Sequence, residues 1–183
     1  MTRTLLPVPL HATAKAWERF SRKIVITSNH HIWVRSLADD GYGRFHDPNY
    51  TDADLPAAVR SDIVRVSRWI WWAHYGPIPP RTVIMHTCNV PICVRLDHLR
   101  AGTQQQNLLM AAELNRLAHT GGGSHRIDRA DKRGQAGQSH AIRQAVLAAI
   151  TEGTTDPDAL ATVVEAVLAL GDAFADQLSL FDI

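Results

Sequence analysis

Apolar positions along the chain change period several times, and each change marks an element. Residues 14–27, AKAWERFSRKIVIT, read as a short amphipathic helix running into a strand. HHIWVRSLADDGYGRF, residues 30–45, reads as strand, Asp-Asp-Gly turn, strand, because aromatic and β-branched residues flank the turn. DPNYTDADLP is loop. Residues 57–75 carry Ile63, Val64, Ser67, Ile70, Trp71 and His74 at helical spacing, and GPIPP stops that helix. TVIMH and HLRAG read as short strands on either side of TCNVPICVRLD, which is too polar and too interrupted by proline to be regular. Thr103, with Gln106 three residues on, has the pattern of a capping box and opens a helix over about 104–118. Residues 121–139 form a basic, Gly-rich linker. Two Ala/Val/Leu helices follow at 140–151 and 156–176, with Thr155 or Asp156 capping the second. The class is α+β, divided as a domain over 1–120, the linker, and a small helical tail over 140–183.

Composition narrows this picture. At 183 residues and 45% hydrophobic, the chain can bury one ordinary core and carry an appendage. No apolar run reaches the roughly 20 residues that span a bilayer. The first residues, MTRTLLPVPLHAT, have prolines and no long apolar stretch, unlike a secretory signal. Two cysteines make no disulfide framework, so a reducing, cytoplasmic setting with free thiolates is expected. The net charge of +1 hides an asymmetry. Residues 1–140 carry 18 Lys+Arg against 11 Asp+Glu, whereas residues 141–183 carry one Arg against seven acids. Only the first part suits a polyanion.

The candidate chemistry lies in MHTCNVPICVRLDHLRAGTQQQN, residues 85–107. Cys88, Cys93 and His98 are spaced C-x4-C-x4-H, and thiolate with imidazole is a zinc donor set. A structural zinc wants four ligands, so a fourth comes from elsewhere. His86 can close the site locally, or it can serve as a base whose ordinary pKa is close to neutral. Asn107, in the first helical turn, can hold a hard cation such as Mg2+ or simply cap the helix. Trp69, Trp71 and Trp72 share one helix and read as core rather than as a base-stacking platform.

Together these positions resemble the ββα-metal (His-Me finger) nucleases: their zinc-bearing, phage-type HNH members and the His-Cys box homing endonucleases. The match runs through His86, Cys88, Cys93, DHL at 97–99, GT at 102–103 and Asn107. It reaches back to GPIP at 76–79, Arg68 and DGYGRF at 40–45. The resemblance implies a ββα-metal core with a zinc loop, preceded by a β-hairpin and helix and followed by the helical tail. It implies His86 as general base and Asn107 as ligand of a catalytic Mg2+. It also implies Cys88, Cys93 and His98 as ligands of a structural Zn2+. In related phage sequences a cysteine before a Trp-x-Trp pattern completes the zinc site. Here that slot holds His30, with His31 as the alternative. Arg44 and Arg68 are the candidates to neutralise the scissile phosphate. Met85 stands where many HNH enzymes place an Asp, so the ion would rest on Asn107 alone.

The implied activity is metal-dependent hydrolysis of double-stranded DNA by an endonuclease or nickase, in a bacterial or phage-infected cell. The competing class is a non-catalytic zinc module that binds DNA as a regulator or packaging accessory. Near the end, Gln177, Leu178, Ser179, Leu180 and Phe181 resemble the short motif by which bacterial proteins dock on the DNA polymerase sliding clamp.

Overall fold

A computed structural model describes residues 8–51, 62–113 and 124–170. Helix α1 (Ala14–Ser21) begins where the Thr13 hydroxyl accepts a hydrogen bond from the Ala16 amide, and it buries Ala16 and Phe20. Strands β1 (Ile24–Ile26) and β2 (His31–Trp33) form an antiparallel pair in which Val25 faces Ile32. In the turn between them, the Thr27 hydroxyl accepts from the Asn29 and His30 amides. The other edge of β2 is also occupied. The Trp33 amide donates to Ile92, the Val94 amide donates to His31, and Ile32 bridges Cys93. The irregular loop of the sequence is therefore stitched onto β2.

Strand β3 (Arg44–His46) pairs with β4 (Ile63–Arg65), with Arg44 opposite Arg65. Two expectations change here. The strand at 30–33 pairs with β1 rather than with 44–46, which its turn touches through a single Leu37–Gly43 bridge. The helix expected from residue 57 begins at Val66 as α2 (Val66–Tyr75). Ile63 and Val64 are β-branched and complete a ladder, so tertiary pairing outweighs their helical spacing. Gly76 ends α2 at a φ of 85°, as a C-terminal glycine does. Strands β5 (Val83–His86) and β6 (Leu99–Gly102) form a hairpin that runs into α3 (Gln104–Glu113). The capping box is present: the Thr103 amide donates to Gln106 Oε1 at 2.8 Å, and the Gln106 amide donates to the Thr103 hydroxyl at 3.2 Å.

The core centres on the rings of Phe20, Trp33, Phe45 and Trp69, with Phe20 and Trp69 stacked 4.2 Å apart. Trp69 and Trp72 are buried, which makes them core. Trp69 Nε1 donates to the buried Asp47 carboxylate at 2.7 Å, so its polar edge is satisfied.

The stretch read as a linker is helical from Ser124 onward, within α4 (Ser124–Thr151). Its packed face is Ala136, Ser139, Ile142 and Val146. That stripe has helical spacing but starts on small residues, which hides it from an apolar count. A Cβ on Gly41, whose φ is 78°, would meet the Ala136 Cα at 2.5 Å, so α4 lies directly on the 38–42 turn. Helix α5 (Pro157–Ala169) is capped by Asp156, which accepts from the Ala159 amide. It packs on α4 and β1, and Ile142, Val146 and Val164 enter the same core as the aromatic cluster. The remainder of the helix expected at 156–176 and the clamp-like Gln177–Phe181 lie outside the described residues.

Candidate active site and metal centre

The loop between β5 and β6 brings four side chains to one point. Donor atoms of His30, Cys88, Cys93 and His98 all lie within 4.8 Å of one another. Cys93 Sγ stands 3.6 Å from His98 Nδ1, and the rings of His30 and His98 are 5.1 Å apart. A tetrahedral zinc with two sulfur and two nitrogen ligands needs ligand–ligand edges of roughly 3.3–3.8 Å, so a small contraction closes this group around an ion. The donor set suits zinc, and His30 Nδ1 is buried without a hydrogen-bond partner, a costly arrangement that a Lewis acid relieves. His31 lies outside the group. Burial, and then the positive Arg95, push its pKa below the ordinary imidazole value.

Local contacts explain how His30 reaches a loop nearly sixty residues away. Arg95 Nη1 donates to the carbonyls of Ser28 and Asn29, while its Nε donates to Asp97 within the loop. One guanidinium thus pins the β1–β2 turn to the cysteine loop. The two thiols differ in acidity. The hydrogen bond from Cys93 lowers the Cys88 pKa to about 3, and the same bond, with burial, pushes Cys93 up. Of the two thiols, Cys88 is the one that ionises more readily.

His86 is 7% exposed and ends β5, opposite Leu99. Its Nε2 lies 3.0 Å from the Cys93 carbonyl oxygen. A carbonyl only accepts, so Nε2 carries the proton and the lone pair of the neutral ring sits on Nδ1. Cys93 therefore has two duties: its sulfur belongs to the four-residue group, and its carbonyl fixes the tautomer of His86. His86 is not among the four residues whose donor atoms gather.

His86 and Asn107 line one cavity of about 110 Å³. Tyr42, Arg65, Asn89 and Gln104 also contribute to its wall. The arginines fall differently from expectation. Arg44 is absent from the lining and stands across the ladder from Arg65. Arg68 is absent too, and its Nη1 donates to the Thr82 carbonyl at 2.7 Å, tying α2 to the approach of β5. The arginine that lines the cavity is Arg65. It stacks 4.2 Å over the Tyr42 ring and pairs with Asp40 at 2.7 Å. Sequence reasoning missed Arg65 because residues 63–65 were assigned to a helix, where no pairing with Arg44 exists. The signal available for a strand was the β-branched content of Ile63, Val64 and Val66 around Arg65.

Residues 64–109 match the family of HNH endonucleases. Protein 7.7 of Escherichia phage T7 is 32% identical over 75 residues, which are 41% of this chain and 48% of that protein. The similarity thus spans about half the length of the phage relative. No solved structure matches the chain significantly.

Proposed function

We propose that this chain, an HNH-family protein through residues 64–109, is a metal-dependent DNA endonuclease or nickase of phage type. The observation that carries the reading is the double use of Cys93: metal-group sulfur on one side, anchor of His86 on the other.

In this reading Cys88, Cys93, His98 and His30 hold a structural Zn2+. Four protein ligands leave it no open position, so its part is to rigidify the loop. The loop then presents the Cys93 carbonyl, and that carbonyl aims His86. Nδ1 of His86 takes a proton from the water that attacks phosphorus. Asn107 would hold a Mg2+, which would supply Lewis-acid stabilisation of charge at the scissile phosphate. Arg65 contributes a fixed positive charge on the cavity wall, with Tyr42 and Asp40 holding its guanidinium in place. Arg44, on the same ladder face, adds backbone attraction rather than transition-state contact. Among the described residues no helix is long and apolar enough to cross a membrane. The proposed setting is the cytoplasm of a bacterial or phage-infected cell, with double-stranded DNA as partner.

The test is supercoiled plasmid incubated with zinc-loaded protein and Mg2+. Conversion to nicked or linear DNA, absent when EDTA is added, is the expected result. DNA retention without any conversion would instead support a non-catalytic zinc module. Docking on the sliding clamp through Gln177–Phe181 is a separate proposal. A chain lacking 177–183 should then lose recovery on immobilised clamp, and equal recovery would end that idea.

A further inference from the structure

The cavity wall contains a group that the mechanism above leaves unused. Asn89 lines the cavity with His86 and Asn107. Its backbone has a φ of 60°, a left-handed conformation, and its Oδ1 is buried without a hydrogen-bond partner. Each feature is a cost: strain in the first case, lost solvation in the second. Glycine would relieve both, so the strained turn alone does not account for a carboxamide at this position.

The rest of the wall indicates what the oxygen is for. Among the lining residues there is no carboxylate; the side-chain oxygens belong to Tyr42, Asn89, Gln104 and Asn107, and Arg65 adds positive charge. Met85, the residue before His86, is buried and apolar. A divalent cation at Asn107 would therefore meet only neutral protein oxygens, and every additional one matters to its retention. Gln104 is exposed, and the Tyr42 ring is engaged by Arg65. The buried, unsatisfied acceptor is Asn89 Oδ1.

We propose that Asn89 Oδ1 is a second oxygen donor for the divalent cation held at Asn107. The inference rests on the endonuclease reading and deepens it. With two neutral carboxamides and no carboxylate, the free protein holds the cation weakly, and phosphate oxygens of the bound DNA complete the site.

The test is Mn2+ titration of the full-length, zinc-loaded chain without DNA, followed by electron paramagnetic resonance. Asn89→Gly deletes the carboxamide at a backbone angle that glycine adopts freely, and it should raise the Mn2+ dissociation constant about tenfold. Asn89→Asp keeps an oxygen and adds a charge, and should tighten Mn2+ several-fold. Asn107→Ala serves as the reference for a lost ligand, and zinc content reports that the loop is intact. If Asn89→Gly binds Mn2+ like wild type while Asn107→Ala is weakened, Asn89 serves the turn alone and the proposal is overturned. The endonuclease reading survives that outcome. If Asn107→Ala also binds like wild type, both are overturned. Should Asn89→Gly lose zinc, Asn89→Asp decides, and unchanged or weaker Mn2+ binding rejects the proposal.

Discussion

Arg65 and Arg68 show how little residue type says about role. They sit three positions apart, carry the same charge, and end on different tasks. Arg65 stacks on Tyr42 at the cavity wall, whereas Arg68 spends a hydrogen bond on the Thr82 carbonyl. Arg65→Ala should lower kcat/KM for plasmid cleavage by roughly 10²–10³, the usual cost of removing a fixed donor to developing charge. Arg68→Ala should instead cost about 1–2 kcal/mol of stability in urea unfolding and leave cleavage of the folded fraction near wild type. Equal losses of cleavage in the two variants would contradict this assignment. At this scale the sequence was readable where chemistry demands a rare residue at fixed spacing. Cys88, Cys93, His98, His86 and Asn107 stand out because thiol, imidazole and a helical carboxamide rarely assemble without a purpose. Arg65, Tyr42 and Asn89 were not readable. Arginine, tyrosine and asparagine are common on surfaces, and only the fold turns these three inward.

Among the elements, the loop from Thr87 to His98 joins the two sites. It docks on β2 by backbone hydrogen bonds, carries three of the four side chains whose donor atoms could hold a metal, and ends in the strand that leads to α3. Under the proposed mechanism, cleavage depends on zinc through geometry, not through chemistry at the zinc. Stripping zinc with a thiol-selective chelator, then supplying excess Mg2+, should abolish cleavage and lower Tm, and adding back Zn2+ should restore both. Full activity of zinc-free protein in Mg2+ would break the link between Cys93 and His86. The hairpin and capped helix around this loop were legible in advance, because Thr103 and Gln106 punctuate them locally. The pairing of β3 with β4 was not. It joins segments separated by a polar loop, and the helical spacing of Ile63, Val64 and Ser67 competes with it until the partner strand is known.

At the scale of the whole molecule, the described parts of α4 and α5 contribute apolar side chains to the same core as the aromatic cluster. Ile142, Val146 and Val164 are fully buried beside the aromatic cluster, and α4 seats Ala136 against Gly41, in the turn that carries Asp40 and Tyr42. Ile142→Ala should cost about 2–5 kcal/mol, the range for a truncated buried aliphatic residue. A single unfolding transition should shift as a whole. Two separate transitions, with only one shifted, would restore the picture of an independent tail. The charge asymmetry gave no hint of this, because net charge counts Lys, Arg, Asp and Glu, while the contact is made by the apolar Ile142, Val146 and Val164.

The proposed roles of His86 as base and of the four-residue group as zinc holder come apart in a single variant. The most direct measurement takes His86→Ala, quantifies zinc per chain, and assays plasmid cleavage in Mg2+ on the same preparation. Zinc content and fold equal to wild type, with cleavage lost, are the expected result. A variant that loses its zinc together with its activity would make His86 a zinc ligand, and one that still cleaves would remove it from the chemistry; either result contradicts the account.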